Sequence, residues 1–318
     1  MKKNIFGFVL ILGTPITFLS SLWLKIVMKL KPTGVTDKIF SKVGILPVPD
    51  HYYQPLVNPK KHLKKSLRDD RTLPGLDLNV QEQLDILAKF DYSLELLNFP
   101  IDEEKGSGTI EYFYNNRFYG PGDSEYLYNM IRYFKPGKII EIGSGYSTLM
   151  AKNAIDKNKN EDKSYECEHM CIEPYEMSWL ESKNVKVIRT KVEDIDTSFF
   201  RQLGPNDILF IDSSHIIRPQ GDVLFEYLEI LPVLNKGVIV HIHDIFTPKD
   251  YLDKWIYEHR LWNEQYLLEA FLSFNNSFKI IGATNFLSHN YTSEYSAKCP
   301  VFAKQQRCEP AAFWMKRV

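Results

Sequence analysis

Hydrophobic and polar positions change their rhythm twice along the chain. Residues 4–24 carry no charge, and Lys2, Lys3 and Lys25 bracket them. As a helix, this 21-residue stretch would reach about 30 Å, the thickness of a bilayer core. Pro15 interrupts the run without excluding a span. Lysines are denser behind it (Lys25, Lys29, Lys31, Lys38, Lys42), so residues 1–30 are expected to form a single-pass anchor with the bulk at the cytoplasmic face of a membrane. Two alternatives stand beside it: a surface-lying or buried helix, and a cleaved signal peptide, for which an A-x-A site is lacking.

Residues 31–110 lose that continuity. Pro32, Pro47, Pro49, Pro55, Pro59 and Pro74 mark an extended arm, and Lys60, Lys61, Lys64, Lys65 and Arg68 make it basic. Between Asn79 and Phe99 the residues Leu84, Leu87, Ala88, Leu94 and Leu97 fall at roughly helical spacing, with Asn79 as N-cap and Pro100 as terminator. The second change begins near residue 111. Short apolar runs then alternate with helical stretches: Lys138–Ile142, a glycine turn, the helical Ser147–Ile155, then Met170–Glu173, Val185–Arg189, Asp207–Ile211, a helix from Asp222 to Leu231, and Gly237–Ile242. Uninterrupted apolar strands are buried on both faces, as in a parallel sheet. This repetition predicts an α/β fold with a doubly wound sheet over residues 111–318, closed by Phe278–Ile281 and Phe313–Val318, behind an N-terminal helical and hydrophobic extension.

Charge and composition narrow little. The net charge of −1 gives no global attraction to nucleic acid, so no nucleic-acid partner is expected. Four cysteines in 318 residues do not build a disulfide framework. Cys167 and Cys171 stand in a C-x3-C spacing with no second pair nearby, short of the four ligands of a structural zinc site, and are read as free thiols.

The strand ends hold the candidate chemistry, because ligands of open α/β sheets bind beyond the carboxyl edge. The turn Glu141-Ile-Gly143-Ser144-Gly145-Tyr146-Ser147 follows the first strand. Its glycines allow close backbone approach, but Thr148 stands where the dinucleotide fingerprint needs a third glycine. That disfavours nicotinamide and flavin cofactors. Glu173 ends the second strand, where an acid can accept hydrogen bonds from both ribose hydroxyls of an adenosine. After the third strand, Asp194 either meets the adenine amino group or caps the turn beginning near Asp196.

In this order the motifs resemble class I S-adenosylmethionine-dependent methyltransferases over residues 110–318. The likeness is nearest to a bacterial branch with Gly-Pro-Gly-Asp, Glu-Ile-Gly-Ser-Gly-Tyr-Ser-Thr, Phe-Ile-Asp-Ser-Ser-His and His-Ile-His-Asp-Ile-Phe. The resemblance implies a Rossmann-like, seven-stranded sheet with an antiparallel last pair, and S-adenosyl-L-methionine as cofactor. It implies that Gly143, Gly145 and Glu173 cradle that cofactor and that Asp123 and Ser124 reach its methionine end. Ser147 replaces the third motif glycine, a tolerable departure where a helix opens.

Methyl transfer to a hydroxyl requires in-line alignment and removal of a proton. Asp212 ends the fourth strand with His215 three residues on, and Asp244 ends the fifth behind His241 and His243. The set resembles metal-dependent O-methyltransferases, which implies Asp212 and Asp244 as Mg2+ ligands and His215 as base. Ile245 stands where those enzymes usually carry Asn or Asp, so a metal-free version, with His215 alone as base and the acids orienting, stays open. His241 reads as structural, and His243 as structural or substrate-facing. Tyr112–Tyr119 forms an aromatic cover or a packed hairpin, with Tyr119 as a candidate substrate contact. Trp255, Arg260, Trp262, Asn263, Glu264 and Gln265 lie where substrate-binding insertions fall, with Trp262 the candidate contact. The expected acceptor is a hydroxyl of a glycan, lipid-linked sugar or small metabolite; the alternative is a membrane-tethered scaffold without turnover.

Overall fold

The structure, a computed structural model, describes residue 7 and residues 10–30, 34–56, 58–103, 110–305 and 308–318. The chain divides into two compact units, one of residues 1–66 with 256–261, the other of residues 67–255 with 262–318. In the first unit, helix α1 (Thr14–Lys29) begins at Pro15, a residue suited to a first helical turn, and buries none of its side chains. Its 16 residues reach only about 24 Å. Among the described residues no helix is long and apolar enough to cross a membrane, so the single-pass anchor is not supported. Residues 4–6, 8 and 9 of the expected span, and Pro32 of the arm, lie outside the described residues. Nor is the arm extended throughout. Helix α2 (Val35–Val43) ends on Gly44 at φ +77°, whose N–H closes the last turn on the Phe40 carbonyl.

The unit that carries the sheet begins at Leu67, so residues 67–110 belong with it. Helix α3 (Val80–Ala88) packs beside a closing strand; Asn79 precedes it, but its amide donates to Glu82 and to the Ile280 carbonyl instead of capping. Helices α4 (Asp123–Phe134) and α5 (Tyr146–Glu161) pack against each other.

The strands are β1 (Lys138–Ile142), β2 (Glu168–Ile172), β3 (Lys186–Ile188), β4 (Ile208–Ile211), β5 (Ile239–Ile242), β6 (Phe278–Ala283) and β7 (Phe313–Arg317). Their order is β3-β2-β1-β4-β5-β7-β6, parallel except that β7 runs antiparallel to both β5 and β6. Every residue of β4 and β5 is buried, as the uninterrupted apolar runs predict. This is the doubly wound, seven-stranded sheet with antiparallel closure that the resemblance implies. Behind β4 one regular helix was expected from Asp222 to Leu231. The structure instead has α6 (Asp222–Phe225), a widened turn over Glu226–Ile230 and a tight turn over Leu231–Val233. Pro232, which lacks an N–H and crowds the carbonyl four residues before it, accounts for the break.

Parallel strands share one carboxyl edge, and the register fixes what meets there. Ile142 pairs with Ile172 and Ile211, and Ile211 with Ile242. The residues that follow, Gly143, Glu173, Asp212 and His243, therefore emerge side by side.

Candidate functional site

A cavity of about 430 Å³ opens at this edge, lined by Gly143, Glu173, Lys191, Glu193, Asp212 and Ser214 among others. Its volume suits a small-molecule ligand. Gly143 forms its floor at φ +77°, and a Cβ there would lie 1.9 Å from the Asp212 carbonyl oxygen. Only glycine lets β1 and β4 approach this closely at the turn. The Ser144 N–H points at Glu173 Oε2 over 3.5 Å, and the Tyr175 and Glu176 N–H groups donate to Oε1 at 3.0 and 2.9 Å. The Ser144 hydroxyl is buried without a partner. A glycine floor, a tethered acid and a spare buried hydroxyl suit the adenosyl cofactor that the motifs imply. When bound, that cofactor supplies an electrophilic methyl group.

Other expected contacts fall elsewhere. Glu141 is fully buried and turned to the neighbouring strand, where it meets His169 Nε2 at 2.7 Å. Ser147 is buried in the first turn of α5, and Tyr146 lines a separate cavity of about 600 Å³ with Met177 and Trp179. Asp194 is exposed and borders an outer hollow, whereas its neighbour Glu193 lines the cofactor cavity. Asp196 caps the turn that follows by accepting from the Ser198 N–H. Ser124 donates to the Gly120 carbonyl. Asp123 is held by Thr284 and by the Ala311 and Ala312 N–H groups at 2.8–2.9 Å. Both face inward, although Asp123 also stands 3.5 Å from His243 Nε2.

At the β4 and β5 ends the predicted chemistry converges. His215 Nε2 lies 3.2 Å from Asp212 and 3.6 Å from Asp244; His243 Nδ1 lies 3.5 and 3.7 Å from the same two carboxylates. Asp212, His215 and Asp244 could each offer one ligand atom to a metal ion, all within 4.8 Å of one another. Two hard oxygens with an imidazole suit a small divalent cation. His215 and Asp244 both adopt left-handed backbone conformations, φ +59° and +57°. Such geometry is costly for non-glycine residues and concentrates at functional sites. The turn at His215 is braced by Ser214, whose N–H and hydroxyl donate to Asp222 at 3.0 and 2.7 Å.

Sequence reasoning placed Glu264 in the insertion after β5 but missed its role. Fully buried at the first position of helix α7 (Glu264–Leu272), it holds His215 Nδ1 at 2.8 Å and accepts from the Tyr227 hydroxyl at 3.2 Å. The Asn263 and Glu264 N–H groups also donate to the His215 carbonyl. No spacing in the sequence links residues 49 positions apart. Trp262 lies over the His215 ring at 4.2 Å between centroids, while the Asn263 and Gln265 side chains brace backbone at Ile217, Phe246 and Lys249. Tyr119 is core: its hydroxyl meets His241 Nε2 at 3.1 Å and its ring lies 5.0 Å from His243. Tyr112 and Tyr114 are buried too, whereas Phe113 and Phe118 line the larger cavity. The 110–120 stretch is thus neither hairpin nor continuous cover.

Charge is unevenly matched here. Four carboxylates (Asp123, Asp212, Asp244, Glu264) face two imidazoles (His215, His243). Burial opposes charge on both histidines, but Asp212 and Glu264 around His215, and Asp244 and Asp212 around His243, outweigh it and raise their pKa values. The carboxyl of Asp212 is held low against its own burial by His243 and His215, and burial pushes Asp244 up. His241, stacked on Phe210 at 4.1 Å, is kept neutral by burial, as a structural histidine should be.

Residues 140–245 match a family model described as a methyltransferase domain. An uncharacterized protein of Archaeoglobus fulgidus is 31% identical over 182 residues, 54% of this chain and 80% of its own length. Among solved structures, the O-methyltransferase TomG of Streptomyces achromogenes, in complex with SAM, aligns over 74% of this chain and 89% of its own at 14% identity and TM-score 0.36. An O-methyltransferase of Bacillus cereus bound to SAH aligns over 82% and 94% at 14% identity and TM-score 0.32. Those two likenesses are too weak to inform on reaction or substrate. The matched family segment runs from the β1 turn to the end of β5, the span that supplies the glycine floor, Glu173 and both aspartates. With that segment set in a sheet whose β7 inserts antiparallel beside β5, the chain carries a methyltransferase domain on the seven-stranded sheet of the class I S-adenosylmethionine-dependent methyltransferases.

Proposed function

We propose that the chain is an O-methyltransferase that removes the proton of an acceptor hydroxyl at His215 and aligns that oxygen against the cofactor methyl at the β4–β5 edge. The observation that carries the reading is the convergence of Asp212, Asp244 and His215 at the rim of the cavity floored by Gly143. Glu264 fixes the ring by holding Nδ1, which turns Nε2 toward the rim, where it meets Asp212 at 3.2 Å and where the acceptor would take that place. His243 steadies the two carboxylates, and Trp262 covers the imidazole and limits water.

Asp212 and Asp244 would hold a divalent cation, Mg2+ by their chemistry, and such an ion would lower the acceptor hydroxyl's pKa. The cation-assisted version is preferred to the metal-free one because carboxylates outnumber imidazoles two to one here. Residues 111–318 are proposed as the catalytic part, with 67–110 packed into it. A hydroxyl on a glycan, lipid-linked sugar or small metabolite is the proposed acceptor, since the rim mixes carboxylates with an indole.

The test is turnover against a panel of sugars, nucleotide sugars, lipid-linked sugars and catechols, with S-adenosylhomocysteine binding followed by calorimetry. His215→Asn should abolish turnover and keep the calorimetric affinity within about threefold. Turnover unchanged in that variant removes His215 from the reaction. EDTA should abolish activity and Mg2+ restore it; indifference to both would leave the metal-free version.

A further inference from the structure

We propose that Glu141, His169 and Cys171 form a second, fully buried metal site for a zinc-class divalent cation, distinct from the reaction rim. His169 and Cys171 occupy alternate positions of β2 and so share a face, and Cys171 pairs in register with Glu141 on β1. His169 Nε2 stands 2.7 Å and Cys171 Sγ 3.5 Å from the same carboxylate oxygen, Glu141 Oε2. One nitrogen, one oxygen and one sulfur thus gather within 4.8 Å. Zinc bonds of roughly 2.0–2.3 Å at tetrahedral angles put neighbouring ligand atoms about 3.3–3.6 Å apart. The Cys171–Glu141 distance already matches, and the His169–Glu141 contact of 2.7 Å reaches that spacing if the ring withdraws by under about 1 Å.

Two further observations set this group apart from an ordinary ion pair. Glu141 Oε1 is buried with no hydrogen-bond partner, although such a loss costs about 1–3 kcal/mol. The His169–Glu141 contact alone explains neither the spare carboxylate oxygen nor the thiol converging on the occupied one. A cation bound by both carboxylate oxygens, the imidazole and a thiolate would use the spare oxygen and balance two negative charges. The Thr148 hydroxyl stands beside the group, 4.0 Å from Cys171 Sγ, and accepts from the Gly145 N–H of the glycine turn at 3.1 Å. The site would therefore pin β1 and β2 together directly beneath the cavity floor. Glu141 and Cys171 are wholly inaccessible and His169 nearly so, which means the ion would enter during folding.

The rival is a metal-free ion pair. In it, burial opposes charge on His169, but Cys171 and Glu141 outweigh it and raise its pKa to about 10.

The full chain, produced in medium supplemented with Zn2+ or with Co2+, separates the two. Expected are about one metal ion per chain surviving a weak chelator, a thiolate-to-cobalt charge-transfer band in the Co2+ form, and a single sulfur in the X-ray absorption of the Zn2+ form. Both signals should persist in Asp212→Asn and vanish in Cys171→Ser and His169→Gln. The rim holds no cysteine, so a sulfur ligand cannot come from there. A wild-type chain without tightly held metal, or with metal but no sulfur scatterer, overturns the site. So does a Cys171→Ser chain that keeps the band. The wild-type absorption measurement decides the matter even where the variants fold poorly.

Discussion

Replacing Gly143 by alanine tests the cofactor floor most directly. The new Cβ would lie 1.9 Å from the Asp212 carbonyl oxygen, so β1 and β4 must part by about 1.5 Å to restore van der Waals contact. Alanine at φ +77° costs a further ~1–2 kcal/mol. Parting the strands stretches the bond from the Asp212 N–H to the Ile142 carbonyl, 2.8 Å here and worth about 0.5–1.5 kcal/mol. The sum is about 2–3 kcal/mol. For a unit of this size that lowers the midpoint of thermal unfolding by roughly 5–10 °C. Because the displaced atoms line the cavity, S-adenosylhomocysteine affinity should fall by at least about tenfold, or ~1.4 kcal/mol. Thermal unfolding and titration calorimetry read the two effects separately. Gly145→Ala is the internal control for the melting shift, since its Cβ would meet only Met177 at 3.6 Å and its φ of −174° suits any residue. A Gly143→Ala chain that melts within about 1 °C of wild type and binds within about twofold would refute the floor.

Glu264→Gln should keep S-adenosylhomocysteine affinity and acceptor KM while lowering kcat by roughly 10–100-fold; an unchanged kcat removes Glu264 as the group that positions His215. The pH profile of kcat/KM tests the rim. His215 must lose its proton to act, and Asp212 and Glu264 raise its pKa against burial, so activity rises with pH on a limb above the ordinary histidine range. Saturating Mg2+, by engaging Asp212 and Asp244, should move that limb to lower pH, and a limb that stays in place argues against cation binding there. Stability carries a separate signature at Glu125, whose carboxylate accepts from the Gly122, Val301 and Phe302 N–H groups at 2.7–3.0 Å. Burial raises its pKa from 4.5 to about 7, so between those values the folded chain keeps a proton the unfolded chain has released, and stability falls as pH rises. Denaturant titrations should show a loss of about 3 kcal/mol across that window in wild type, absent in Glu125→Gln; parallel curves would refute it.

The sheet was legible because burying both faces of a parallel strand demands an apolar run, and that signature is local. All five runs from Lys138 to Ile242 became strands, and the closing segments at Phe278 and Phe313 did too. The placement of the candidate residues at one sheet edge was legible for the same reason, since Gly143, Glu173, Asp212 and Asp244 each follow such a run. What depends on side-chain direction was not. Glu141 belongs to the turn motif by position, yet its place on the pleat aims it at His169. The tyrosines of 112–119 suggested a cover, but burial of their rings was favoured over exposure. Glu264 acts on His215 through tertiary packing alone, and nothing in either local sequence marks the pair. The hydrophobic segment at 4–24 was read from composition, and the helix described there, Thr14–Lys29, is too short for a span and carries Lys25 and Lys29.

The place of β7 has a consequence for biosynthesis. It leaves the ribosome after both β5 and β6, yet it lies between them. Until it inserts, neither neighbour has its partner on that side. Asp123, whose backbone donors at Ala311 and Ala312 immediately precede β7, has until then only the Thr284 hydroxyl to hold it beside His243. The parallel half of the sheet, with the glycine floor, can form while translation continues. The anchoring of Asp123 beside His243 is completed only afterwards, so the carboxyl edge of the parallel strands takes shape before its acidic neighbour is fixed.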